Sequence, residues 1–338
     1  AGAGSVPAGV TAVAVNLTSI RPGSNTFLTA FPTGSSRPDA STLNPRAGEI
    51  IPNSTIVGVG TDGTISVYNE RSDVHLTADV LGYFQPAGSA SSEFGQMLPL
   101  TPARVLDTRS GIGAPQGRAN GGDAITLRVL DEGGVPGSGV DAVVLNLLSI
   151  NPTAEGWINA WPTGEAEPTT ATLSYRTREV IPNLTVCKVG PDGTIQVKPS
   201  HGNLHVVADV VGCFTASGAQ LSAVAPSRLL DTRKAIGGPK GRIEGGNEVT
   251  LEVTGRNGIP TTATAVALNV SAVNPSEQTF LTIYPDGEEM PTASSLNPDP
   301  GQVSANLVIA KVGDGGRVKI YNDVGDLHIL ADVTGYFS

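Results

Sequence analysis

The sequence predicts an all-β chain of three tandem β-sandwich, jelly-roll-like domains, the first lacking its opening strands. Three observations carry this. A closing stretch is written three times, VHLTADVLGYF from Val74, LHVVADVVGCF from Leu204 and LHILADVTGYF from Leu327. Inside the first copy polarity alternates with period two, Val74, Leu76, Ala78 and Val80 facing one way and His75, Thr77 and Asp79 the other, the pattern of a half-buried strand. No stretch sustains a 3.6-residue period, and 42 Gly and 25 Pro punctuate the 338 residues, a turn density that suits sandwiches of short strands.

Each block opens on an apolar strand, VTAVAVNLT from Val10, VDAVVLNLL from Val140 and TAVALNVS from Thr264, with Val13, Val15 and Leu17 sharing a face in the first. A second strand follows, FLTAFPTG, WINAWPTG or FLTIYPDG, cut short by proline, which cannot donate to a ladder. Next come a short strand (STLN, ATLS, SSLN) and a longer one (IPNSTIVGVG, IPNLTVCKVG, SANLVIAKVG). Asp-Gly then predicts a hairpin turn at 61–64, 191–194 and 314–317, leading into TISVYN, TIQVKPS and RVKIYN. Equivalent residues lie 130 apart between the first two blocks (Asn16 and Asn146, Asp79 and Asp209) and 123 apart between the last two (Asn269, Asp332). The repeat is therefore of whole domains.

A further segment precedes only two of the blocks, TPARVLDTRSGIGAPQGRANGGDAITLRV from Thr101 and APSRLLDTRKAIGGPKGRIEGGNEVTLEV from Ala225. The expected domains are thus 1–86, without this opening third, then 99–215 and 224–338. The Ala-, Ser- and Gly-rich stretches 85–98 and 215–223 join them.

A net charge of −10 without clustered Lys and Arg argues against nucleic acid as a partner. Apolar runs are strand-length, so no membrane-spanning helix is expected. The small-residue opening AGAGS without an initiating Met fits an exported, processed product or a fragment.

His75, His205 and His328 recur four residues before Asp79, Asp209 and Asp332. On a strand that spacing separates imidazole from carboxylate by about 13 Å, too far for one ion. Structural hydrogen bonds are expected instead, the aspartates accepting backbone amides near the following Gly. Asp107 and Arg109, like Asp231 and Arg233, sit two apart with Arg104 and Arg228 nearby, which suits an internal ion pair or an Arg fork for a sugar diol or carboxylate. Asn16, Asn146, Asn269, Asn53, Asn183 and Asn306 recur within apolar strands and are read as bridges to backbone groups, although Asn16, Asn53, Asn183 and Asn269 begin glycosylation sequons.

The aromatic pairs Phe27 and Phe31, Trp157 and Trp161, and Phe280 and Tyr284 occupy equivalent positions. They are either packing between sheets or a platform for sugar rings, and exposure of Trp161 would favour the platform. Cys187 and Cys213 replace other residues only in the middle block, which predicts a Cys187 to Cys213 disulfide formed in an oxidising compartment. No cofactor or metal site is expected. GxSxG and HExxH are absent, and Glu165 with Glu167 or Glu288 with Glu289 lie in turns without a recurring base, so no enzyme is expected.

The paired signatures LDTR, at Leu106 to Arg109 and Leu230 to Arg233, and ADVxGYF resemble the repeat domains of secreted and cell-surface proteins of actinobacteria and Chloroflexi. That resemblance implies a secreted or surface location and non-catalytic modules in tandem. The chain departs from the pattern in the missing first LDTR segment and in Cys213 where the family has Tyr. Two functions follow as expectations. One is a structural stalk or filament subunit that self-associates, another subunit supplying the strand the first repeat lacks. The other is a carbohydrate- or cell-wall-binding array gaining avidity from repeated weak sites.

Overall fold

The computed structural model describes residues 6–86 and 95–338, so most of the linker expected at 85–98 and the AGAGS opening lie outside the described residues. What is described is all-β, with one 3-10 turn at Asp314–Gly316, and forms three antiparallel sandwiches. The first repeat comprises β1 (Ala12–Ile20), β2 (Leu28–Pro32), β3 (Ile50–Gly58), β4 (Ile65–Asn69) and β5 (His75–Phe84), arranged as sheets β3-β1-β5 and β2-β4.

The second comprises β6 (Gln96–Asp107), β7 (Ala119–Asn120), β8 (Ile125–Arg128), β9 (Val140–Ile150), β10 (Gly156–Pro162), β11 (Leu173–Tyr175), β12 (Val180–Lys188), β13 (Thr194–Pro199) and β14 (Asn203–Thr215). Its sheets run β12-β9-β14-β6 and β11-β10-β13-β8. The third comprises β15 (Leu221–Asp231), β16 (Ile243–Glu244), β17 (Glu248–Glu252), β18 (Ala265–Val273), β19 (Leu281–Pro285), β20 (Val303–Lys311), β21 (Arg317–Asn322) and β22 (Asp326–Phe337), with sheets β15-β22-β18-β20 and β17-β21-β19.

Among the described residues the first repeat has no strand on the LDTR side of either sheet. Nothing among the described residues stands where β6 and β15 flank the ADVxGYF strand, or where β8 and β17 flank the strand after the Asp-Gly turn. Both omissions map to the absent LDTR segment, which elsewhere supplies β6 to β8 and β15 to β17.

The cores follow the predicted alternation: Val13, Val15 and Leu17 bury one face of β1, and Val266, Leu268, Val270 and Ala272 bury the matching face of β18. The Asp-Gly turns have the expected chemistry but not the expected pairing. Asp62 Oδ1 accepts from the Thr64 amide at 3.1 Å and hydroxyl at 2.8 Å, and Gly63 takes φ +80°. Yet β3 and β4, β12 and β13, and β20 and β21 lie in opposite sheets, so these turns are corners rather than hairpins. The glycine just before each corner is needed for close backbone approach: a Cβ on Gly60 would meet the Thr33 carbonyl oxygen at 2.2 Å and one on Gly313 the Asp286 oxygen at 2.1 Å.

The chain divides into two compact units, one holding the first and third repeats and the other essentially the second. Within the first unit the Asn53 amide donates to Asn269 Oδ1 at 2.9 Å, and Asn53 Oδ1 accepts from the Leu307 amide at 3.0 Å. The bridging role read for the asparagines holds at Asn53, Asn183 and Asn306, which donate to the carbonyls of Thr42, Thr172 and Ser295 at 2.7, 2.7 and 2.8 Å. Asn16, Asn53, Asn183 and Asn269 are all buried, so none of these sequons is open to a glycan.

The predicted disulfide is wrong: Cys187 and Cys213 are free, buried thiols. Both stand opposite Val143, on strands either side of β9, so their Cα atoms are two strand spacings, about 10 Å, apart. A disulfide needs roughly 7 Å or less. The two substitutions share a core, and burial pushes the Cys187 thiol up to about 12 and Cys213 up to about 11.

Candidate interaction site

Among the described residues the recurring polar residues converge on two copies of one network and leave a third copy unfilled. In the second repeat β6 pairs with β14 so that Arg104 stands opposite Asp209, with a register shift between Leu106 and Arg104. That bulge adds a residue, so Val105 and Leu106 both enter the core while Arg104 and Asp107 share the other face. Arg104 forks onto Asp209, Nε to Oδ1 at 2.8 Å and Nη2 to Oδ2 at 3.1 Å, and its Nη1 donates to Asp107 Oδ2 at 3.1 Å. Arg109 closes the network on Asp107, donating through its backbone amide and Nε to Oδ1, both at 2.9 Å, and through Nη2 to Oδ2 at 2.7 Å.

The third repeat copies this atom for atom. Arg228 forks onto Asp332 and reaches Asp231 Oδ2 at 3.0 Å, and Arg233 binds Asp231 through backbone and guanidinium. Arg228 Nη2 also donates to the Asp39 carbonyl of the first repeat at 3.2 Å. The hydrogen bond to Arg233, with both guanidinium charges, holds the Asp231 carboxyl down at about 2 against the effect of burial. At Asp107 burial pushes up, but Arg109 and Arg104 together outweigh it and the carboxyl lies below its ordinary value. Burial pushes Asp332 up against the pull of Arg228. Asp209 and Asp332 thus take guanidinium forks, a partner the sequence reading did not assign them.

The threonine of LDTR was not singled out from sequence, and it holds the histidine. Thr108 Oγ1 lies 3.1 Å from His205 Nδ1 and accepts from the Val206 amide at 3.1 Å, and Thr232 does the same for His328 and Ile329. Burial, then the charges of Arg118 and Arg109, lower the His205 pKa. Among the described residues no three His, Cys, Asp or Glu gather where a metal could bind.

In the first repeat the same strand, β5, is an edge. Asp79 pairs across to Asn16 on β1, and no hydrogen-bond or ion-pair partner of its carboxylate stands among the described residues. Burial alone pushes its pKa up. His75 is exposed, with no threonine bonded to it among the described residues. The core-facing row is open as well: Leu76 is 39%, Val80 52% and Tyr83 44% exposed, whereas Val206 and Val210 in β14 and Ile329 and Val333 in β22 are no more than 1% exposed.

The aromatic pairs do not make one platform. Trp157 is 41% exposed with its ring edge-on to His201 at 5.3 Å, but Trp161 is 8% exposed and donates Nε1–H to the Glu165 carbonyl. Tyr284 is buried and bonds Glu248, while Phe27 and Phe280 lie half-buried beside Tyr68 and Tyr321, and Phe31 is half-buried.

No protein-family model and no curated protein matches the chain. Among solved structures, one of Sulfolobus Turreted Icosahedral Virus aligns over 98% of this chain and 81% of its own at 8% identity and a TM-score of 0.20. A structure described as the triple jelly roll fold and turret assembly of an archaeal virus aligns over 97% and 79% at 8% identity and 0.19. The tandem CBM22 domain of Paenibacillus barcinonensis Xyn10C aligns over 70% and 98% at 9% identity and 0.20. Likenesses of that size assign no function.

Proposed function

We propose that the chain is a non-catalytic structural protein of the cell exterior, a stalk or filament subunit of tandem β-sandwiches that self-associates by strand addition to the incomplete first repeat. The observation that carries this is β5: among the described residues it is a ladder edge whose core-facing residues Leu76, Val80 and Tyr83 lie open. Exposed apolar edges are what sheet proteins ordinarily blunt or cover. Elsewhere the repeated charged residues are consumed in internal pairs, which suits a scaffold.

The test is electron microscopy and light scattering of the purified protein across a concentration series. Filaments or a ladder of oligomers are expected; isolated particles at every concentration would sink the reading. The alternative, a carbohydrate- or cell-wall-binding array, has in its favour the exposed Trp157 beside His201. Screening against a glycan array separates the two, since only the alternative predicts binding that Trp157→Ala abolishes.

A further inference from the structure

At the turns before β10 and β14 the second repeat departs from the other two in two side chains, and both changes open the same surface. We propose that Arg118 and Trp157 form a binding site for a hexuronic acid residue of an acidic polysaccharide, the guanidinium of Arg118 taking the sugar carboxylate and the indole of Trp157 lying against the sugar ring. The inference rests on the second reading above, in that Trp157 is its sugar platform, and narrows that reading to one repeat and one class of sugar.

The arginine seat is built twice. β7 pairs antiparallel with the start of β14, Asn120 opposite Asn203 and Ala119 opposite Leu204, which brings Arg118 beside His205. Its Nη1 donates to the carbonyls of Asn151 and Asn203 at 2.7 and 3.1 Å. β16 and β22 repeat the pairing, and Arg242 Nη2 donates to the equivalent carbonyls of Asn274 and Asp326. The two seats differ in one side chain. Arg242 Nε meets the Asp326 carboxylate at 2.8 Å, whereas the residue at that position beside Arg118 is Asn203. The first repeat also has an acid there, Asp73. Among the described residues no carboxylate pairs with Arg118, so a guanidinium anchored by one nitrogen keeps its Nε side for a carboxylate from outside.

The second change exposes the aromatic. In the first and third repeats Phe27 and Phe280 lie half-buried beside Tyr68 and Tyr321, at ring-centroid distances of 6.1 and 6.3 Å. The tyrosine position in the second repeat is Lys198, whose ammonium turns to Glu167 at 2.7 Å, and Trp157 is 41% exposed. Trp157 packs edge-on against His201, two residues before the Asn203 whose carbonyl Arg118 holds. These turns are pressed together: a Cβ on Gly121 would meet the His201 backbone at 2.5 Å. An aromatic face suits the apolar side of a pyranose and a guanidinium suits its carboxylate, so the pair matches both parts of a uronic acid. A chain of net charge −10 does not gather anions over its whole surface, so a preference for the free acid has to come from a local seat.

The probes are tetrasaccharides of galacturonic, glucuronic and mannuronic acid, each beside its methyl ester, titrated by isothermal calorimetry into the full chain. Saturable binding of at least one free acid is expected, about fivefold or more tighter than its ester. Arg118→Gln should erase that preference by bringing the acid down to the ester. Trp157→Ala should weaken acid and ester alike. Asn203→Asp gives the second repeat the carboxylate of the third and should fill the seat from within, so that the acid loses its advantage while the ester is unchanged. The third repeat already folds with that pair, Arg242 and Asp326, and circular dichroism checks the variant.

Equal affinity for acid and ester, or an acid preference that survives Asn203→Asp, overturns the proposal; if that binding still disappears with Trp157→Ala, the sugar platform stands without the carboxylate seat. An acid preference insensitive to Trp157→Ala overturns it from the other side, leaving an anion seat without a sugar ring. No binding by any of the six probes overturns the uronic acid site and leaves Trp157 to the glycan array.

Discussion

β5 and β22 are nearly the same strand in two settings. HLTADVLGYF and HILADVTGYF differ at three of ten positions, and they pair in the same register, β5 with β1 and β22 with β18. Val80 is nevertheless 52% exposed and Val333 fully buried, and Asp79 has no cation among the described residues where Asp332 holds a bidentate one. Burial and charge pairing at these positions are therefore not properties of the strand. They are conferred by the LDTR neighbour, which the third repeat has and the first repeat lacks among the described residues.

The largest expected effect comes from removing the arginine. Arg228→Ala leaves Asp332 and Asp231 buried without their shared cation, and breaking such a pair costs about 3–5 kcal/mol. Asp79→Asn has no pair to break and should change stability by less than about 0.5 kcal/mol. Thermal unfolding followed by far-ultraviolet circular dichroism compares the two. Similar costs would mean that Asp79 already has a partner.

Acid separates the repeats next. Asp231 sits at about 2 when folded against 3.8 for the free side chain. A lowered carboxylate contributes stability above its unfolded pKa and loses it as pH falls through the folded one, so roughly 2 kcal/mol should disappear between about pH 4 and pH 2. Asp79 is raised, so its contribution has the opposite sign: protonation favours the folded form, and the gain is lost as pH rises through its folded pKa. Asp231→Asn should flatten the acid limb of the stability curve and Asp79→Asn should steepen it. Equal slopes in both variants would contradict the pairing of Asp231.

Much of this difference was legible in the sequence, because a missing LDTR segment beside a retained ADVxGYF strand already implied an unfilled sandwich. The role of Arg104 and Arg228 was not. Arg and Asp three apart on a regular strand face opposite ways, and only the bulge at Val105 or Leu229 puts both on one side. A bulge leaves no mark in an apolar dipeptide. The cysteines misled for a related reason: paired substitution reports a shared core, and Cys187 and Cys213 share one across an intervening strand, too far for a bond. Asp-Gly likewise specified a turn without specifying whether its arms would pair, since that depends on which sheet each arm joins.

The smallest effect isolates apolar burial alone. Val333→Ala removes two methyl groups from a closed core and should cost about 2 kcal/mol. Val80→Ala takes the same groups from a surface open to water and should cost less than about 0.5 kcal/mol in the monomer. That near-zero value is informative because it is conditional: once a donor strand covers β5, Val80 enters the environment Val333 already has. The same substitution should then weaken assembly by up to about 2 kcal/mol while leaving monomer melting unchanged. Urea unfolding of monomer beside the concentration dependence of assembly reads both halves, and a Val80→Ala cost already present in the monomer would show that the edge is closed without a partner.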